Sequence, residues 1–297
     1  MSVPLKDFLA QDNVLISDPD KLWKKINKIQ SDTHAKLQIV TDFDHTLTRH
    51  DGLTTFDMFN KCPSVPGEYI KANEELKKEY GDIAKTANMT PEEKKKHYSE
   101  WFGKVYDKIK ETVNKFPFNE LAAQAKEVKF KTGVEVLIQK CKEQNVPILV
   151  FSAGMGECVN AIMKENNYLY SNINIIANFC EVNDDGKVLG VKGNFLIHSN
   201  NKNEAIHRYA DDHFNKETNR RNNVLLFGDM TGDANMVNDH DYDVVIRVGF
   251  LYYNPEKNTD ETEKNKKNYS SVFDIVLLND NTVDLPNILL NLIIGSE

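Results

Sequence analysis

The chain has 297 residues, 37 Lys and Arg against 45 Asp and Glu, and a net charge of −8, with 40% apolar and 28% charged residues. That length suits one large domain or a domain carrying an insertion, and the apolar content supplies a core, so global disorder is excluded. The acidic balance argues against a dedicated nucleic-acid binder, which needs a basic face, but leaves room for a small phosphorylated substrate.

The four cysteines, Cys62, Cys141, Cys158 and Cys180, form no C-x-x-C pair and no disulfide framework. The first residues, MSVPLKDFLAQDN, lack the apolar stretch of a secretory signal. The apolar run 288–294 (ILLNLII) is too short to span a bilayer and is expected to pack back on the sheet. These features lead to the expectation of a cytoplasmic protein with no membrane partner.

In chain order, Ser17-Asp18-Pro19 followed by Leu22, Trp23, Ile26 and Ile29 predicts a capped amphipathic helix packed on the core. Continuous apolar runs predict buried strands at 37–41 (LQIVT), 146–151 (VPILVF), 173–177 (INIIA), 224–227 (VLLF), 244–248 (VVIRV) and 275–278 (IVLL). Helices are expected at 123–143, 156–165 and 203–214. This alternation implies an α/β fold, a doubly wound, mostly parallel sheet. Residues 52–122 carry no strand pattern and are helical and polar, clearest at 74–78 and 92–108. They are expected to form an inserted helical cap on a core of residues 1–51 and 123–297. Asp184-Asp185-Gly186 between two short apolar arms predicts a hairpin within 179–193, and 256–267 a solvated helix or loop.

Charge clusters where the predicted strands end. The first strand runs into Asp42-Phe43-Asp44-His45-Thr46, placing two carboxylates two residues apart at the edge where parallel sheets bind ligands. The strand at 146–151 runs into Ser152-Ala153-Gly154, a hydroxyl and small residues suited to a phosphate at a helix start. The strand at 224–227 runs into Gly228-Asp229-Met230-Thr231-Gly232-Asp233, and Lys202 opens a predicted helix between them. Taken singly, each piece suits an ordinary turn, cap or surface residue. Their ordered appearance at successive strand ends points to one phosphate-handling site.

These strings resemble the four ordered motifs of the haloacid dehalogenase superfamily. More closely, KLQIVTDFDHTLT, VFSAGMGE, LIHSNNK, LLFGDMTGD and FDIVLL resemble the cytosolic 5′-nucleotidase III family of pyrimidine and 7-methylguanosine 5′-nucleotidases. The resemblance implies a Mg²⁺-dependent hydrolysis of nucleoside 5′-monophosphates through an aspartyl-phosphate. Asp42 would be the nucleophile and Asp44 the general acid and base. Asp42, Asp229 and the Asp44 main-chain carbonyl would hold Mg²⁺. Ser152, Ala153 and Lys202 would hold the phosphoryl group, with Asp233 steadying Lys202 or a metal-bound water and Thr46 in support. Phe102 would stack on the base, with Trp101 turned to the cap interior. The family's base-reading Glu falls on Ala84 and its accompanying Ser on Val105, and neither can make the corresponding hydrogen bond; Asp82 lies two residues from Ala84. His45 is expected as a loop residue facing the cap and His198 as a structural residue. Another phosphomonoesterase of the superfamily, of the phosphoserine phosphatase kind, or a nucleoside phosphotransferase are the alternatives.

Overall fold

A computed structural model describes residues 3–86, 89–204, 221–238, 241–256 and 259–295. Elements in order are α1 (Val3–Leu9), β1 (Val14–Ile16), α2 (Pro19–Asp32), β2 (Leu37–Thr41), α3 (Thr55–Asn60), α4 (Gly67–Thr86), α5 (Pro91–Thr112), α6 (Phe118–Ala125) and α7 (Val134–Glu143). There follow β3 (Ile148–Met155), α8 (Gly156–Glu165), β4 (Ile173–Asn178), β5 (Cys180–Val182), β6 (Val188–Val191), β7 (Asn223–Gly228), β8 (Val244–Leu251), α9 (Thr259–Ser270), β9 (Ile275–Leu278) and α10 (Asp284–Ile294).

Seven strands form one sheet in the order β1-β9-β8-β7-β2-β3-β4. All its pairs are parallel except β1 with β9. The fold is the expected doubly wound α/β architecture. Both faces are covered, which explains the unbroken apolar runs. Ile39, Val150, Leu225 and Val248 point into one buried cluster, and Val40, Leu149, Leu226 and Val245 into another on the opposite face.

Helix starts follow local chemistry. Asp18 caps α2 by accepting from the Lys21 N–H at 3.0 Å, with Pro19 in the first turn. Thr54 with Asp57, and Thr90 with Glu93, form reciprocal capping boxes at the starts of α3 and α5.

The structure corrects several expectations. The single helix expected over 123–143 is two, α6 and α7. Between them Lys131 donates its N–H to the Leu47 carbonyl at 2.8 Å, Thr132 to Asn281 at 3.1 Å, and Gly133 takes φ +90°. Those tertiary bonds and a left-handed residue outweigh the helical apolar spacing. The strand expected at 146–151 begins at Ile148 and runs on to Met155, so Ser152 to Gly154 are strand residues; its register to β4 shifts between Phe151 and Met155. Edge strand β1 and helix α1 carried too few residues for a pattern. The run 288–294 belongs to α10, which packs on helices α1, α2 and α7, and its buried Leu285, Leu289, Leu290 and Ile293 share one cluster with sheet residues such as Ile39, Ile275 and Leu277. Of the helix expected at 203–214, residues 203–204 are helical and 205–214 lie outside the described residues. Helices α3, α4 and α5 fall between β2 and β3, α5 packs on hairpin strand β6, and α9 buries none of its residues.

Candidate active site

The sheet order turns at β2, which lies between β7 and β3 and pairs in parallel with both. Such a switch point opens a crevice at the carboxyl ends of the strands. The register makes those ends level: Thr41 is opposite both Val150 and Phe227, and the Asp42 N–H donates to the Phe227 carbonyl at 2.9 Å. Strand pairing therefore brings residues from positions 42, 152 and 229 to one edge.

Three carboxylates meet there. Asp42, Asp229 and Asp233 each offer an oxygen within 4.8 Å of the others. Asp42 and Asp233 are buried and Asp229 half-buried. Lys202, 2% exposed, donates to Asp42 Oδ1 at 2.5 Å and to Asp233 Oδ1 at 2.8 Å. Asp233 is fixed in turn by accepting from the Met230 N–H at 2.9 Å. One lysine faces three acids, and the electrostatics follow. Burial, then Asp42 and Asp233, push Asp229 well above the usual carboxylate range. Burial pushes Asp233 up to about 6 against the pull of Lys202. For Lys202, burial acts downward but Asp233 and Asp42 outweigh it, so its value is raised.

Asp44 stands apart from this group. Its carboxylate accepts from the Thr55 N–H at 3.0 Å and the Thr55 hydroxyl at 2.7 Å, at the start of α3. Burial raises it to about 6, opposed by those two bonds. Ser152 is fully buried, and its Oγ accepts from the Gly154 N–H at 3.0 Å. Ala153 is half-buried beside it. Thr46 is fully buried, with a hydroxyl that has no partner among the described residues.

A cavity of about 350 Å³ runs from Asp44, Ala153 and Gly154 to the inserted helices, where Phe56, Trp101, Phe102 and Val105 line it. Phe102 lies 6.1 Å from Phe56 at 82°, and Trp101 stacks 6.2 Å from Tyr80. Trp101 thus lines the cavity as well as packing on Tyr80 of α4. Val105 is a cavity wall, whereas the side chains of Asp82 and Ala84 lie outside the described residues. His45 sits at φ +61° with its ring 5.3 Å from His50, which stacks on Tyr252. His198, fully buried, is 2.9 Å from the Ser99 hydroxyl.

Three residues escaped the sequence reading. Thr55 had a signal, the Thr-Thr-Phe-Asp capping pattern, but nothing tied it to Asp44. Asn178 had none beyond a polar residue ending an apolar strand. Its Nδ2 donates to the carbonyls of Ala153 and Ile197, both at 2.8 Å, and its Oδ1 accepts from the Ile197 N–H at 2.8 Å. It clamps the Ser152 strand end to the loop that carries Lys202. Asn60 lines the cavity, and its buried Oδ1 has no partner among the described residues.

The mostly parallel sheet, with acids gathered at its switch point, has the haloacid dehalogenase-like fold. A solved hydrolase of that family from Salmonella enterica serovar Typhi shares the fold, with a TM-score of 0.51 and 14% identity over 90% of this chain and 74% of that one. The family model for pyrimidine 5′-nucleotidase matches residues 42–294. This chain belongs to that family and is a phosphoric monoester hydrolase of the 5′-nucleotidase class. A 7-methylguanosine phosphate-specific 5′-nucleotidase B of Xenopus laevis is 30% identical over 94% of this chain and 95% of its own. The solved structure of cytosolic 5′-nucleotidase IIIB bound to cytidine is 26% identical, with a TM-score of 0.82 over 98% of both chains.

Proposed function

We propose that this chain is a cytoplasmic, Mg²⁺-dependent 5′-nucleotidase that hydrolyses nucleoside 5′-monophosphates through an aspartyl-phosphate on Asp42, with residues 52–122 as the cap over the substrate. The observation that carries the reading is the set of three acids and one lysine at the switch point, with Asp44 held separately at the head of the aromatic-lined cavity. A cytoplasmic site draws support from the cytosolic nucleotidase to which the chain is similar. No helix among the described residues is long and apolar enough to cross a membrane.

The donor set fits a divalent cation. It is all oxygen, packed within 4.8 Å, and carries three carboxylates against one lysine. Hard oxygen donors with excess negative charge suit Mg²⁺. Asp42, Asp229 and the Asp44 main-chain carbonyl would hold it, with Asp233 beside them. When bound, it offsets the repulsion between the substrate dianion and these acids and orients the phosphoryl group.

The remaining work falls to the chain itself. Lys202, the Ser152 hydroxyl and the backbone at Ala153 hold the phosphoryl oxygens as charge develops. An Asp42 oxygen attacks phosphorus, and the bond from phosphorus to the 5′-oxygen breaks. Asp44 gives its proton to that oxygen, releasing the nucleoside. Asp44 then takes a proton from water as the water oxygen attacks phosphorus, freeing phosphate and restoring Asp42. The cap excludes bulk water while Phe102 stacks on the base.

The test is phosphate release from nucleoside monophosphates and phosphoserine, with Mg²⁺ and after chelation. Release from the nucleotides, absent in the chelated enzyme and restored by Mg²⁺, is expected. Asp42→Asn should lose at least about a thousand-fold in kcat while keeping its circular dichroism spectrum. Preference for phosphoserine, or wild-type turnover in Asp42→Asn, would overturn the proposal.

A further inference from the structure

Asp229 is held differently from its two acidic neighbours. Lys202 bonds to Asp42 and Asp233, and among the described residues no side-chain donor reaches the Asp229 carboxylate. A carboxylate without such a tether is aimed by its own backbone. That backbone leaves β7 at Gly228 and is gripped at one peptide unit. The carbonyl of the Asp229–Met230 peptide accepts from the Tyr269 hydroxyl at 2.5 Å, and the N–H of the same peptide donates to Asp233 Oδ2 at 2.9 Å. A peptide unit is planar, with its carbonyl and N–H on opposite edges, so the two bonds together fix the orientation of the plane and the course of the chain at Asp229.

Asp233 belongs to the same loop, whereas Tyr269 reaches it from 40 residues further on, at the end of α9. Helix α9 is rich in charge and buries none of its residues. Tyr269 nevertheless packs against the core cluster of Val40 and Leu226, with its ring 5.8 Å from Phe273. Phe273 in turn fills the space that Gly249 leaves open on β8, where a Cβ would stand 2.5 Å from the Phe273 ring. The Tyr269 ring is thus seated against the sheet, and its hydroxyl meets the loop. A carbonyl can only accept, so the tyrosine is the donor.

We propose that Tyr269 is a positioning residue for the metal site: its hydroxyl holds the Asp229–Met230 peptide so that the Asp229 carboxylate stands beside Asp42 before a divalent cation arrives. This rests on the Mg²⁺ reading of the same site. Groups that orient a ligand from behind set metal affinity, and losing one costs about 10–100-fold. Without the hydroxyl, the Asp229 carbonyl turns to water and the peptide keeps only its bond to Asp233. The carboxylate then spends time out of place, and apparent affinity falls by the fraction of molecules in which it is misplaced. The coupling is reciprocal, so a bound cation strengthens the Tyr269 contact by the same factor.

The experiment titrates Mg²⁺ alone into the wild type and Tyr269→Phe by calorimetry, beside kinetics over a range of Mg²⁺ concentrations. Tyr269→Phe keeps the ring and removes the donor. Its Kd for Mg²⁺ is expected to rise about tenfold, and half-maximal activity to need about tenfold more Mg²⁺. At saturating Mg²⁺ its kcat should stay within about twofold of wild type. A merely structural hydroxyl would instead lower kcat at every Mg²⁺ concentration and leave Kd in place. In the wild type, Mg²⁺ should slow amide exchange across residues 266–270, the last turn of α9, about tenfold, a measurement that stands even if the variant does not fold. An unchanged Kd in folded Tyr269→Phe, or exchange at 266–270 indifferent to bound Mg²⁺, would overturn the assignment. A wild type that binds no Mg²⁺ would remove the metal reading along with it.

Discussion

Gly154 sits where three working side chains meet. A Cβ at this position would stand 2.1 Å from the Thr55 hydroxyl, 2.9 Å from Asp44 Oδ2 and 3.1 Å from the Ser152 hydroxyl. No rotamer relieves a contact made by Cβ itself, so the neighbours must shift. Gly154→Ala is therefore expected to push Thr55 off Asp44 and to cost about 1–3 kcal/mol of stability. Displacing the acid by a fraction of an ångström should lower kcat about a hundred-fold. Steady-state kinetics beside a denaturant melt would check this. Unchanged kcat would mean that the Thr55–Asp44 contact has no part in turnover. Gly154 stood in the sequence as a small residue after Ser152. That it makes room for a hydroxyl from position 55 depends on α3 folding back over β3, which local spacing does not encode.

Asn178 shows the same limit for whole elements. It ends β4, and its side chain spends all three of its bonds on the ends of two other segments, the Ser152 strand and the Lys202 loop. Asn201 stiffens the second of these, accepting from the His198 N–H and donating to Leu196, both at 2.8 Å. Ser152 and Lys202 thus owe their spacing to a residue whose side-chain bonds go to the backbone of those two segments. Asn178→Ala is expected to raise KM and lower kcat/KM about a hundred-fold while the melting profile stays cooperative. Asn178→Asp should not rescue it, because it keeps the acceptor and loses both donors. Recovery of activity in the Asp variant would assign the role to the Ile197 N–H contact alone. Two strand ends were legible: runs of Val, Ile and Leu halted by Asp42 and by Asp229 follow from charge being excluded from a sheet covered on both faces. The split of the expected helix at 123–143 was not, since Gly133 and the bonds to Leu47 and Asn281 act across the fold.

Across the whole molecule, α5 touches the core through His198. The Asn200 N–H donates to Nδ1 at 3.2 Å, so the ring proton lies on Nε2 and is donated to Ser99. Lys95 of the same helix pairs with Glu204, two residues past Lys202. Burial, helped by Lys95 and opposed by Glu204, holds His198 down to about 4, below its ordinary 6.5. The folded protein therefore refuses a proton that the unfolded chain accepts between about pH 6.5 and 4. Stability should fall as pH drops through that window, by up to about 1.4 kcal/mol per pH unit for this one group. His198→Gln, which does not titrate, should lose less stability over the same interval. Thermal melts of both proteins at pH 7, 6, 5 and 4.5 would show it, and parallel curves would refute it.

By itself the sequence determined the mostly parallel α/β sheet and the family. Each is written in local order, as apolar runs, capping patterns and charged residues at strand ends, and local order survives without knowledge of neighbours. Only the tertiary structure decided that Thr55 holds Asp44, that Asn178 clamps two loops and that Asn60 lines the cavity. Those relations join segments far apart in the chain, and their hydrogen bonds exist only once sheet register and the packing of α3 on β3 set the distances.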